Sequence, residues 1–132
     1  MAAGASHDLF ITPKPTRLIQ HILKIATNPS DIVLDSFAGS GTTGHAVMQM
    51  NKQDGGNRRF VLIEIESGIA KDITAERLKR VITGYGDVEG LGGGFRYCML
   101  GPTLFDVEGQ IRTEVTFGEL AQHVFFVETG EP

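Results

Sequence analysis

The stretch Asp35-Ser36-Phe37-Ala38-Gly39-Ser40-Gly41-Thr42-Thr43-Gly44 has the residue types and spacing to hold a ligand against bare backbone. Gly39 and Gly41 carry no Cβ to obstruct an approaching group, and a helix starting just beyond them favours a negative one. Gly39, Gly41 and Gly44 also satisfy G-x-G-x-x-G, the spacing of a dinucleotide turn. Two details point elsewhere. In a dinucleotide fingerprint the strand runs almost directly into the first glycine, so that the pyrophosphate rests on the turn. Here Asp35 closes the apolar run and Ser36, Phe37 and Ala38 intervene, which sets a carboxylate where a pyrophosphate would be repelled. Glu64 ends the next apolar run, 23 residues after Gly41, where an acid can accept from both ribose hydroxyls. No Gly-Lys-Ser/Thr follows the turn, so a P-loop is excluded. An acid, a glycine turn and a second acid describe a site for S-adenosylmethionine, whose cationic amine and sulfonium tolerate the first carboxylate.

The elements that would position these residues follow from periodicity. Leu18, Ile19, Ile22, Leu23, Ile25 and Ala26 form a helical stripe, with Thr16 as its N-cap and Asn28-Pro29 as its end. Ile32-Val33-Leu34 and Phe60-Val61-Leu62-Ile63 are short continuous apolar runs, which predict strands buried on both faces. Between them Ala46, Val47 and Met50 mark the inner face of a second helix, and the polar residues 51–57 predict a loop. Residues 69–82 repeat apolar positions at helical spacing, with Gly84 as the stop. Strand–helix–strand–helix with buried strands implies a parallel sheet with flanking helices. Residues 95–100 are a candidate strand and 117–126 a short helix, whereas 84–94, with six glycines, carry no clear period.

Composition bounds the function. The chain has 132 residues, 41% of them hydrophobic, and a formal net charge of −4. That size suits one domain, and the acidic balance argues against a module that grips nucleic-acid phosphates by itself. No apolar run approaches the ~18 residues of a membrane span, and residues 1–11, a loose arm, lack the pattern of a signal peptide. One cysteine, Cys98, excludes an internal disulfide and reads as a small buried hydrophobe, and no Cys/His cluster has metal-ligand spacing. These features predict a cytoplasmic chain. His21, His45 and His123 lie on helical stretches without a partner at catalytic spacing.

DSFAGSGTTGHA resembles the F-x-G-x-G motif of DNA methyltransferases that methylate amino groups, and TPKPTRLIQHIL resembles the "K-P" motif that precedes it in the beta class. RRFVLIEIE is similar to the ribose-binding strand of that family. GLGGGFRYCMLGPTLFD and TFGELAQHVFFVETGEP are similar to the C-terminal part of the modification subunit of type III restriction systems. The resemblance implies a three-layer, Rossmann-like methyltransferase fold, partial in this chain and occupying residues 12–132. It implies that Asp35, Phe37, Gly39, Gly41 and Thr42, with Ala38 and Ser40 in the same turn, hold the methionine and adenosine portions. It gives the ribose to Glu64, with Glu66 as the competing acid, and has Thr12 and Lys14 close over the cofactor.

The family departs from this chain at one point. N6-adenine methyltransferases use a D/N-P-P-Y/F/W motif whose carbonyl and polar side chain accept from the amino group of a flipped base. The prolines here are Pro13, Pro15, Pro29, Pro102 and Pro132, no two adjacent, so these residues contain no catalytic motif. The chain therefore reads as the cofactor-binding half of an adenine-N6 methyltransferase, contacting DNA through the other half. An upstream methyltransferase half, a restriction subunit or a second copy is the expected partner, and no membrane is. Two rivals remain: a non-catalytic interaction module that keeps the fold, and a fragment of a nicotinamide dehydrogenase.

Overall fold

The computed structural model describes residues 13–131, in two compact units that meet in sequence between Tyr97 and Cys98. Thr12 and the predicted arm lie outside the described residues. The first unit runs α1 (Thr16–Ala26), β1 (Ile32–Asp35), α2 (Thr42–Asp54), β2 (Arg59–Leu62), a π-helical segment (Ile69–Ala75) continuing into α3 (Glu76–Thr83), and a short hairpin of β3 (Gly84–Tyr85) and β4 (Val88–Glu89). β1 and β2 pair in parallel, Ile32 opposite Arg59 through Asp35 opposite Leu62. A parallel pair needs a crossover, and α2 supplies it. The unit is thus a small α/β structure with a two-stranded parallel sheet.

The core lies on one face of that sheet. Leu23 of α1 and Ala46, Val47 and Met50 of α2 are buried together, and Val33 and Phe60, neighbours across the two strands, pack beneath them with Ile19. Leu78 of α3 is buried against the same layer, since a Cβ on Gly44 would touch both its side chain and those of Leu62 and Phe60. The expected inner face of α2 is therefore the observed one. The strands themselves are not buried on both faces: Ile32, Leu34, Val61 and Ile63 are all exposed, Leu34 to 64%. A strand becomes doubly buried only when helices cover both faces. Among the described residues, α1, α2 and α3 all lie on the face of Val33 and Phe60.

Local differences from the sequence reading have identifiable causes. Thr16 is the first helical residue of α1 and Pro15 is its N-cap; the Pro15 carbonyl accepts from Leu18 and Ile19. α2 continues to Asp54, three residues past the onset of the expected loop, because Gly55 in the left-handed region provides the stop. The polar end of α2 is also tied down. Arg58 is buried, its guanidinium donating to Asp54 at 2.8 and 3.1 Å and to Thr27 Oγ1 at 3.1 Å, while its main chain exchanges hydrogen bonds with the Asn51 amide. Backbone and side-chain hydrogen bonds from Gly56 and Arg58 hold the Asp54 carboxyl below its ordinary pKa. Residues 84–94, unassigned by pattern, form the β3–β4 hairpin and then bond back to α3 through Leu91 N–H to Val81 and Gly92 N–H to Ile82.

In the second unit, α4 (Phe117–Thr129) opens with a capping box in which Thr116 and Glu119 bond reciprocally. The Thr116 main-chain and hydroxyl donors hold the Glu119 carboxyl below its usual range. Phe105 meets His123 edge-on at 5.7 Å between ring centres. Residues 95–100 form no strand, and Cys98 is exposed rather than buried. A strand needs a partner for its backbone groups, and no described strand pairs with this segment. No helix of the described residues is long and apolar enough to cross a membrane.

Gly44 sets how closely α2 approaches β2. A Cβ there would lie 3.0 Å from the Leu78 side chain and 3.1 Å from that of Leu62. Gly44→Val is expected to destabilise the chain by about 1–3 kcal/mol through overpacking, read as a lower urea midpoint with an unchanged slope.

Candidate functional site

The segment from Ser36 to Gly41 leaves β1 at Asp35 and turns into α2. It is held by side chains from β1, from the end of β2, and from the π-helical segment and α3. Asp35 accepts from its own strand exit, with Oδ1 taking the Phe37 N–H at 3.1 Å and Oδ2 the Thr43 hydroxyl at 2.6 Å. It is thus an organiser of the turn rather than a cap on the α2 backbone. Ala38 N–H bonds to the Ile63 carbonyl at 3.0 Å, which continues the sheet into the turn. Gly39 N–H donates to Glu64 Oε2 at 2.9 Å, while Oε1 of the same carboxylate takes Glu66 N–H at 3.1 Å. On the other side the Gly39 carbonyl accepts from the Thr74 hydroxyl.

The sequence-predicted residues Asp35, Phe37, Ala38, Gly39, Ser40, Gly41, Thr42 and Glu64 are accordingly brought into one constellation. Of the two candidate acids, Glu64 engages the turn, and Glu66 is exposed. Phe37 is 83% exposed, so it is not a core residue. Lys14 is exposed beside the N-cap of α1, and no hydrogen bond joins it to the turn. Gly41 sits in the left-handed region (φ 73°), and a Cβ there would meet Thr74 Cγ2 at 3.0 Å. Its glycine requirement therefore comes from backbone conformation and from the wall behind the turn.

Three residues of this site escape sequence reasoning. Thr74 and Arg77, one helical turn apart, face the back of the turn. The Arg77 guanidinium donates from Nη1 to Ser40 Oγ and Thr42 Oγ1, both at 2.8 Å, and to the Ser40 carbonyl at 3.3 Å. Its Nη2 meets His45 Nδ1 at 3.4 Å. Arginine can only donate, so His45 Nδ1 accepts and the ring proton sits on Nε2. Burial first, and the Arg77 charge second, lower the His45 pKa below its ordinary value. Burial also lowers that of Arg77. Arg77 and His45 also line an open groove of about 490 Å³, shared with Tyr85 and Val88 of the hairpin and with Leu91. Ser40 and Thr42 thus spend their hydroxyls on Arg77, leaving main-chain groups and the two carboxylates for a ligand.

The first unit is thus a βαβ structure with an acid-flanked glycine turn beyond the carboxyl ends of its parallel strands. Residues 3–76 match the N6/N4 methyltransferase family described as DNA methylase, and the chain belongs to that family. Over 70 residues, 53% of its length, it is 47% identical to the type III restriction-modification enzyme StyLTI Mod subunit of Salmonella typhimurium, of which it covers 11%. Over 89% of its length it is 32% identical to the EcoPI Mod subunit of Escherichia phage P1, covering 20% of that protein. It is also 37% identical over 92 residues, 60% of its length, to the type II methyltransferase M.KpnI of Klebsiella pneumoniae, covering 22% of it. The chain therefore spans between about a tenth and about a fifth of the length of these relatives.

The neutral His45 makes a pH prediction. Its folded pKa lies below the ordinary imidazole value of 6.5, so the unfolded chain binds the proton first as pH falls. The stability it contributes is complete above that value and is lost as pH drops toward the folded pKa. Melting temperature should fall between pH 7.5 and 5.5, and His45→Gln should flatten that dependence.

Proposed function

We propose that this chain is the S-adenosylmethionine-binding portion of a site-specific adenine-N6 DNA methyltransferase of a restriction-modification system. In this reading residues 12–132 are the cofactor-binding part of a three-layer, Rossmann-like domain in a cytoplasmic enzyme, and the D/N-P-P-Y segment comes from outside these residues. The observation that carries it is the meeting of Asp35, the last residue of β1, and Glu64, two residues past the parallel strand β2, on one glycine turn. The relatives support the biological setting, since their names describe Mod subunits, type II methyltransferases and a DNA adenine methyltransferase.

The residues present fit such a cofactor. A carboxylate offers about four acceptor positions, and the two recorded bonds of Asp35 leave acceptors for an ammonium group. Glu64 likewise retains acceptor capacity for vicinal hydroxyls beside its bonds to Gly39 and Glu66. Ala38, Gly39, Ser40, Gly41 and Thr42 contribute main chain at the start of α2, the exposed Phe37 ring a flat apolar surface, and Thr12 and Lys14 the preceding segment. When bound, the cofactor supplies an electrophilic methyl group on its sulfonium. Base extrusion and orientation of the adenine amino group belong to the half that carries the proline motif, and so does contact with DNA. A restriction subunit or a second copy would join the whole enzyme.

Calorimetry with S-adenosylmethionine and S-adenosylhomocysteine tests the reading. Binding weaker than micromolar, under about 8 kcal/mol, is expected because part of the pocket wall is supplied elsewhere. Asp35→Asn preserves an oxygen for Phe37 but removes the charge, and should weaken binding about tenfold, or 1.4 kcal/mol, with little change in melting temperature. Heat with NAD and none with either sulfur ligand would overturn it. A second outcome concerns DNA. With a net charge of −4, the chain should give no gel-shift at low salt, and a complex surviving about 200 mM salt would contradict the assignment of DNA contact to the other half.

A further inference from the structure

We infer that Arg77 is a positioning residue for the cofactor turn, holding Ser40 and Thr42 from behind so that the main chain between them keeps its binding shape. The inference rests on the proposed cofactor role of that turn and names a residue of α3 that the acid–turn–acid pattern does not contain. Three observations carry it. The first is convergence: one guanidinium nitrogen serves two hydroxyls and a carbonyl that bracket Gly41, all within 3.3 Å. Charge-assisted bonds of this kind are stronger than neutral ones, and the planar fork of arginine loses little freedom in making several.

The second is exclusivity. Ser40 and Thr42 are buried, their oxygens lie 3.2 Å apart, and the hydrogen bonds recorded for their side chains go to each other and to Arg77. Gly41 between them has the left-handed conformation, which costs an L side chain about 1–2 kcal/mol but gives glycine a wide choice of alternatives. Something must select one of them, and Gly41 itself bonds only to near neighbours in sequence, its N–H to the Ala38 carbonyl at 2.8 Å and its carbonyl from the His45 N–H at 3.2 Å. The third is anchorage. Arg77 is three residues from Thr74, whose hydroxyl donates to the Gly39 carbonyl, and beside buried Leu78, which fixes α3 against the sheet layer. The guanidinium is thus carried on a packed helix, and its second terminal nitrogen, Nη2, is steadied by His45.

The test uses the 132-residue chain and the variants Arg77→Gln, Arg77→Lys and the double change Ser40→Ala with Thr42→Val, which removes the two hydroxyl acceptors and leaves Arg77 and the Ser40 carbonyl in place. Amide hydrogen exchange is followed at Gly39, Gly41 and His45, with α1 and β1 amides as internal reference, and S-adenosylhomocysteine binding is titrated in parallel. Arg77→Gln and the double variant should each accelerate exchange at the turn about tenfold more than at the reference amides, and weaken binding by at least about tenfold, equivalent to 1.4 kcal/mol. Arg77→Lys should fall between wild type and Arg77→Gln in both. Equal acceleration everywhere, or none at the turn, would overturn the inference, as would a loosened turn with unchanged affinity. If the wild type binds neither sulfur ligand while the turn still loosens selectively, the cofactor reading fails and Arg77 stands as the residue that shapes the turn. If Arg77→Gln does not fold, the double variant decides by the same two readouts.

Discussion

The main chain of Gly39 is held on both sides of its α-carbon, and the turn depends on that clamp. Its N–H is held by Glu64 at the end of β2, and the carbonyl of the same residue is held by Thr74 in the π-helical segment. Two elements that follow the turn by 25 and 35 residues therefore fix the main chain of a segment rich in glycine. Left to itself such a segment would sample many conformations, and a ligand would have to select one at an entropic cost. Here the folding of β2 and the helix beyond it meets that cost in advance. Asp35 and Glu64 are therefore parts of the frame that shapes the turn.

The sheet of the first unit is built on one side only. Val33 and Phe60 are covered by α1 and α2, and the opposite side chains of the same strands face outward. The continuous apolar runs of β1 and β2 carry the pattern of strands with two packed faces, yet among the described residues helices cover one face only.

The parts legible in the sequence were those governed by local chemistry. Gly39, Gly41 and Gly44 between an apolar run and a helical stripe placed the βαβ unit, and the acids at Asp35 and Glu64 followed from strand ends. Ala46, Val47 and Met50 marked the buried face of α2 by spacing alone. What stayed illegible was set by contacts between distant residues. Arg77 and His45 are 32 residues apart, and neither has a neighbour in sequence that betrays the pairing. The apolar run at residues 95–100 has strand composition, but a strand exists only where its hydrogen bonds find a partner. Cys98 is exposed for the same reason. Thr12 lies outside the described residues, so the pairing of the K-P segment with the turn rests on resemblance.

The π-helical form of residues Ile69–Ala75 has a consequence for how this region can vary. Adding or removing one residue in a helix rotates everything downstream by about 100° around the axis. Arg77 lies just past the segment, and a rotation of that size would swing its guanidinium away from Ser40 and Thr42 while leaving every upstream contact intact. A side-chain exchange at its exposed positions, Lys71 and Asp72, leaves that placement alone, whereas a change of length that the wide π-helical turn does not absorb moves Arg77. An insertion there would act at a distance on a turn some thirty residues earlier, and it would do so without touching a single residue of the glycine motif.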